Sequence, residues 1–150
     1  MIKFAEVFGK TEPSEKMLAI VQDEIGLALP EVYIDFLNQN NGGVPIQKYG
    51  MIPGRNFVVE VFFPLLDDNE ANSENGVYDI INVFNYTSDR LGGQCIPFAS
   101  LFGGDMMCFW FGETEAPSVQ LWNHELSEFE TPHLTLVAEN FSEFVAMLRK

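Results

Sequence analysis

Leu29-Pro30-Glu31-Val32-Tyr33-Ile34-Asp35-Phe36-Leu37-Asn38-Gln39-Asn40-Asn41-Gly42-Gly43-Val44 changes its periodicity near its end, and that change decides the fold class. Pro30 suits the first position of a helix, because its missing N–H is unpaired there anyway and its φ is already helical. Tyr33, Phe36 and Leu37 then recur three and four residues apart, as the buried stripe of a helix does. Asn40-Asn41-Gly42-Gly43 stops it, since paired glycines let the backbone leave at positive φ. From Val44 the next apolar stretches, 44–49 and 57–66, are rich in β-branched and aromatic residues. A helix running directly into strand signals predicts an α+β domain.

Upstream, Thr11 to Ser14 supplies an N-cap and an early proline, Pro13, ahead of Met17, Leu18, Val21 and Ile25; Gly26 ends that helix, so the chain opens with a helical hairpin. Downstream, 44–49 and 57–66 read as two strands about the Pro53-Gly54 turn. The stretch Asp67 to Gly76 reads as a solvent-exposed polar loop. Val77, Ile80, Ile81 and Phe84 follow the helical spacing and predict a middle helix. Strands follow at 94–98, 106–111 and 119–124, with a short edge strand at 134–137. Asn140 with Glu143 forms a capping box for a last helix burying Phe141, Phe144, Val145 and Leu148. The expectation is one domain over 1–150, with a mixed, mostly antiparallel sheet of about six strands flanked by these helices.

The chain is 47% apolar with fourteen phenylalanines, so a single domain of 150 residues has material for an ordinary core. No signal-peptide core and no run of about eighteen apolar residues occurs, which predicts a cytoplasmic protein. Cys95 and Cys108 lie in apolar runs and read as buried free thiols. The net charge is −14. Residues 1–55 carry seven acids against five bases, and residues 56–150 carry fifteen against three. Such a chain is a poor partner for nucleic acid or an anionic membrane, which need lysine and arginine to release counterions. A basic protein is the partner it suits.

Leu29 to Leu37 with Asn41-Gly42-Gly43; Ile96-Pro97-Phe98-Ala99 with Gly103-Gly104-Asp105 and Cys108-Phe109; Val119-Gln120-Leu121-Trp122-Asn123-His124-Glu125; and Ala138 with Phe141-Ser142-Glu143-Phe144 and Leu148 follow one another in the chain. In this order the four segments resemble the Smi1/Knr4 (SUKH) superfamily. Ser100 departs from the pattern, since many relatives carry an acid there. The resemblance implies an α+β domain and a binding role. In bacterial members that role is immunity against secreted toxins, often nucleases or deaminases; in fungal members it is regulation of cell-wall synthesis and signalling. The matched residues are mostly helix starts, buried aromatics and turn glycines, so they are expected to build the scaffold, with partner choice left to the acidic surface.

Catalytic and metal readings find little footing. His124 beside Glu125 could form an acid/base pair, but neighbouring strand residues point to opposite faces, and no nucleophile elbow, phosphate loop, dinucleotide fingerprint or H-E-x-x-H is present. Cys95, Cys108, His124 and His133 are zinc-ligand types without the close pairs a structural zinc site uses. Asp67, Asp68, Glu70 and Glu74 lack the alternation of a calcium loop. The expectation is therefore no enzyme, no cofactor and no metal. The candidate partner-binding residues are Asp67, Asp68, Glu70 and Glu74; Glu113 and Glu115; and Glu125, Glu128 and Glu130. Trp110, Phe111 and Phe129 are the candidate exposed aromatic anchors.

Overall fold

The computed structural model describes residues 2–112, 116–128 and 131–150. Strands are β1 (Phe4–Gly9), β2 (Asn41–Pro45), β3 (Tyr49–Ile52), β4 (Arg55–Phe62), β5 (Cys95–Leu101), β6 (Met106–Trp110), β7 (Ser118–Glu128) and β8 (Thr131–Ala138). Helices are α1 (Glu15–Ile25), α2 (Glu31–Gln39), the short α3 (Asp68–Ala71), α4 (Ile80–Leu91) and α5 (Phe141–Met147), with a 3-10 helix at Glu74–Tyr78. The sheet runs β1-β2-β4-β5-β6-β7-β8. Strands β2 and β3 lie end to end along one edge of β4, pairing at Phe62 and at Arg55 to Val58 respectively.

The α+β class and the four expected helices are present, but the sheet is larger than the sequence suggested. It has eight strands rather than about six, and among the described residues every pairing is antiparallel rather than mixed. The strand missed altogether is β1. A register shift between Phe4 and Glu6 interrupts its alternation, and it pairs with Asn41 to Pro45, far along the chain. That partner begins at the residues expected only to stop a helix. Gly42 and Gly43 have φ of 72° and 136°, and a Cβ on Gly43 would lie 2.0 Å from the Glu6 carbonyl oxygen. Here glycine permits close strand approach as well as the turn. Asn41, buried, secures the same junction: its Nδ2 donates to Thr11 O (3.0 Å) and Leu65 O (2.8 Å), and its Oδ1 accepts from Leu65 N (2.8 Å).

Strand β6 shows how the two faces are used. Met107 and Phe109 point into the main core, and the alternate Cys108 points to the other side, in keeping with the two-residue period of a strand. In the main core Tyr33 of α2 sits 5.6, 5.2 and 5.0 Å from the rings of Phe98, Phe109 and Phe141, and Phe98 stacks on Phe109 at 4.3 Å. The Tyr33 hydroxyl donates toward Phe63 O (2.9 Å) and Phe98 O (3.3 Å), and complete burial pushes this phenol well up. On the opposite face Leu91 at the end of α4 covers Cys95, Cys108 and Trp122. Both sheet faces are thus packed around β5 to β7.

The ends of α1 and α5 follow the sequence signals, whereas Pro30, expected as the first helical residue of α2, stands just before it with an extended ψ of 137°. Ser14 accepts from Met17 N (3.1 Å) to cap α1, and Gly26 at φ 79° closes it. Asn140 accepts from Glu143 N (2.9 Å) while Glu143 Oε2 accepts from Glu139 N (3.0 Å), so the reciprocal bonding falls one residue before the capping residue itself.

Candidate partner-binding surface

The polar stretch after β4 is not an open loop. Asp67 Oδ1 accepts from Glu70 N (2.9 Å) and starts α3, and Ser73 Oγ donates to Glu70 O (2.5 Å), leading into the 3-10 helix. Asp67, Asp68 and Glu74 are exposed. Glu70 is half-buried, and its Oε2 accepts from Lys10 N (2.9 Å), tying the segment to the chain just after β1. Four carboxylates thus stand on a fixed support, and among the described residues no ion pair neutralises them.

The other candidate residues separate. Glu125 is exposed on β7, its N–H donating to Asn123 Oδ1 (3.1 Å). Glu128 closes β7 opposite Thr131. Glu113, Glu115, Phe129 and Glu130 lie outside the described residues. Trp110 is 39% exposed, its ring beside Gly112. Phe111 is only 5% exposed and belongs to the main core, which corrects its reading as an exposed anchor. The reason is parity: Phe111 continues the inward phase of Met107 and Phe109, while Trp110 shares the phase of Cys108.

Sequence reasoning missed Val77 and Tyr86, which are 70% and 84% exposed. The apolar spacing places Val77 in the middle helix's stripe. It falls instead on the 3-10 helix, because α4 begins only at Ile80, after Asp79. The buried side of α4 is Ile80, Val83, Thr87 and Leu91. Tyr86 lies on its flank, in line with Asn82 and Arg90 at four-residue spacing. An aromatic residue off the stripe of an amphipathic helix was the available signal. Tyr86 stands between two hollows. One, of about 490 Å³, is lined by Ala71, Ser73, Gly76, Val77, Asn82 and Tyr86. The other, of about 420 Å³, is lined by Tyr86, Thr87, Asp89, Arg90, Gly104, Met106, Trp122 and His124.

His124, in the wall of the second hollow, is held by Asp105. Its carboxylate accepts from Arg55 Nη2 (2.6 Å), His124 Nδ1 (2.5 Å) and His124 N (3.0 Å). Burial pushes the Asp105 carboxyl up, but hydrogen bonds from His124 and Arg55 and the Arg55 charge outweigh it and hold the carboxyl below the usual range. Arg90 donates to His124 O and lies 5.1 Å over the Trp122 ring. Histidine 124 is therefore engaged with Asp105, not with Glu125. Ser100 Oγ donates to Glu60 Oε1 (3.1 Å), so a carboxylate from β4 stands beside the position where the family pattern often carries an acid.

The two thiols lie in the packed cluster with Trp122 and Leu91. Burial pushes Cys95 up to about 12; burial, then the neighbouring Cys95, pushes Cys108 well up. Both are protonated at neutral pH and are poor nucleophiles. Among the described residues no three histidine, cysteine or carboxylate side chains gather as metal ligands, and no helix is long and apolar enough to cross a membrane.

No curated protein matches the chain. The model of the SMI1 / KNR4 family (SUKH-1) matches residues 12–147, from two residues before the α1 cap to the last residue of α5. The matched span contains the Asn41 junction, the aromatic core and the Asp105 cluster, and on that match the chain belongs to the SMI1 / KNR4 family (SUKH-1).

Proposed function

We propose that this protein is a non-catalytic immunity protein that acts in the cytoplasm of its producer by binding and neutralising a cognate secreted toxin, a nuclease or deaminase with a basic surface. The observation that carries the reading is the state of the carboxylates. Among the described residues Asp105 alone forms an ion pair, with Arg55, and Asp67, Asp68, Glu74, Asp89 and Glu125 are exposed without one. A field of unpaired carboxylates attracts a cationic surface over about a Debye length and rejects partners of like charge. A toxin that holds nucleic acid must itself be basic where it holds phosphates. The binding role that the family resemblance implies agrees with this charge.

The test is rescue and binding together. A toxic C-terminal domain encoded beside this gene is expressed with and without the protein; survival with the protein, together with a stable complex, is the expected result. The association rate should fall about tenfold or more from low to physiological salt. Failure to rescue rejects the immunity role, rescue without a complex points to catalysis, and a salt-independent rate removes the electrostatic argument.

A further inference from the structure

Val77 and Tyr86 are the most exposed large apolar side chains among the described residues. They share one hollow, and Tyr86 also borders the second. An aromatic ring raised between two hollows exposes a large apolar area at small entropic cost, because it has few rotatable bonds; such rings make binding anchors. The surroundings state what kind of partner fits. Ala71 and Ser73 in the first hollow are the chain neighbours of Glu70 and Glu74, and Asp89 lines the second. Arg90, which lines the second hollow, is already engaged with His124 O and the Trp122 ring, and Lys10 meets Glu70 through its backbone N–H.

We infer that Tyr86 and Val77 form the docking centre for the basic partner, receiving a protein segment that straddles Tyr86 and brings lysine or arginine side chains against Glu70, Glu74 and Asp89. Apolar stems of those side chains enter the hollows while their heads remain near the carboxylates. A guanidinium can also lie on the open Tyr86 ring. This places the binding energy at α4 and the 3-10 helix, with Glu125 and the later acids steering the approach. The inference rests on the binding role proposed above.

The experiment titrates the neighbouring toxin domain, inactivated in its own active site, with full-length protein by calorimetry. Tyr86→Ala and Val77→Arg are compared with Met51→Arg, which alters an equally open side chain bordering a different hollow, that of β3. Each of the first two variants should weaken binding by at least about tenfold, and Met51→Arg should change it little. Thermal melts matching wild type establish that the variants are folded. Wild-type affinity in both Tyr86→Ala and Val77→Arg overturns the docking centre and leaves the binding role standing. No binding by the wild-type protein overturns both. A wild-type dimer that Tyr86→Ala dissociates assigns the surface to a second copy and also overturns the inference.

Discussion

Asp105 and Asn41 are buried polar residues belonging to the family signature, and each is explained by the partners it satisfies. Asp105 holds Arg55 and His124 by its two carboxylate oxygens, and its carboxyl lies below the ordinary value near 3.9. In the window between those two values the unfolded chain binds the proton and the folded protein does not, so this residue's contribution is present above about pH 4 and is lost as pH falls through its folded pKa. Asp105→Asn should therefore destabilise the protein by about 1–2 kcal/mol at pH 7, the half-exposed Arg55 side keeping the loss modest. Urea unfolding at pH 7 and near pH 2.5 checks it: the gap between variant and wild type should narrow at the acidic pH, and an equal gap at both rejects the ionic account. The three side-chain hydrogen bonds of Asn41 could not be read from the sequence, because their partners Thr11 and Leu65 come together only through folding.

At the scale of elements, α5 has only seven residues, too few to persist by helix propensity alone. It is held by burying Phe141 and Phe144 among Phe57, Phe62 and Phe98. Phe144→Ala should cost about 3–5 kcal/mol, measured as a lower urea midpoint; a loss below 1 kcal/mol would mean that the neighbouring rings close the cavity. The capping signals and apolar spacing made α1, α2 and α5 legible in advance, because both are properties of a few adjacent residues. Strand β1 and the continuation of β7 and β8 beyond their apolar stretches were not legible. Their extended form depends on pairing, β1 with Asn41 to Pro45 and β7 with β8, and on register shifts that break simple alternation. For the same reason, an acidic stretch that looked like loop became α3 and a 3-10 helix once Glu70 bonded to the Lys10 backbone.

Across the whole molecule the charge is divided. Acids are spread along the chain, but their excess is uneven: Lys48 and Arg149 lie about β3 and the chain end, where Tyr49 and Arg149 bridge, whereas from α3 through β7 the exposed Asp68, Glu74, Asp89 and Glu125 share the stretch with a single base, Arg90. A net charge of −14 held in a compact body repels itself more than the same charge on an unfolded chain. Adding about 0.2 M sodium chloride at pH 7 should therefore raise stability by about 1 kcal/mol, or about 2–4 °C in Tm at this size. Calorimetric scans across salt concentrations measure this, and a Tm that stays level would show that the carboxylates are too far apart to strain the fold. The amino-acid order by itself determined the class of fold, most helix positions and the excess of acid after residue 55, because periodicity, caps and composition are local quantities. Only the tertiary structure decided that Phe111 is core, that Asp67 to Glu74 stand on a formed support, and that Tyr86 is open between two hollows. Exposure is set by what distant segments cover, and no local pattern records that.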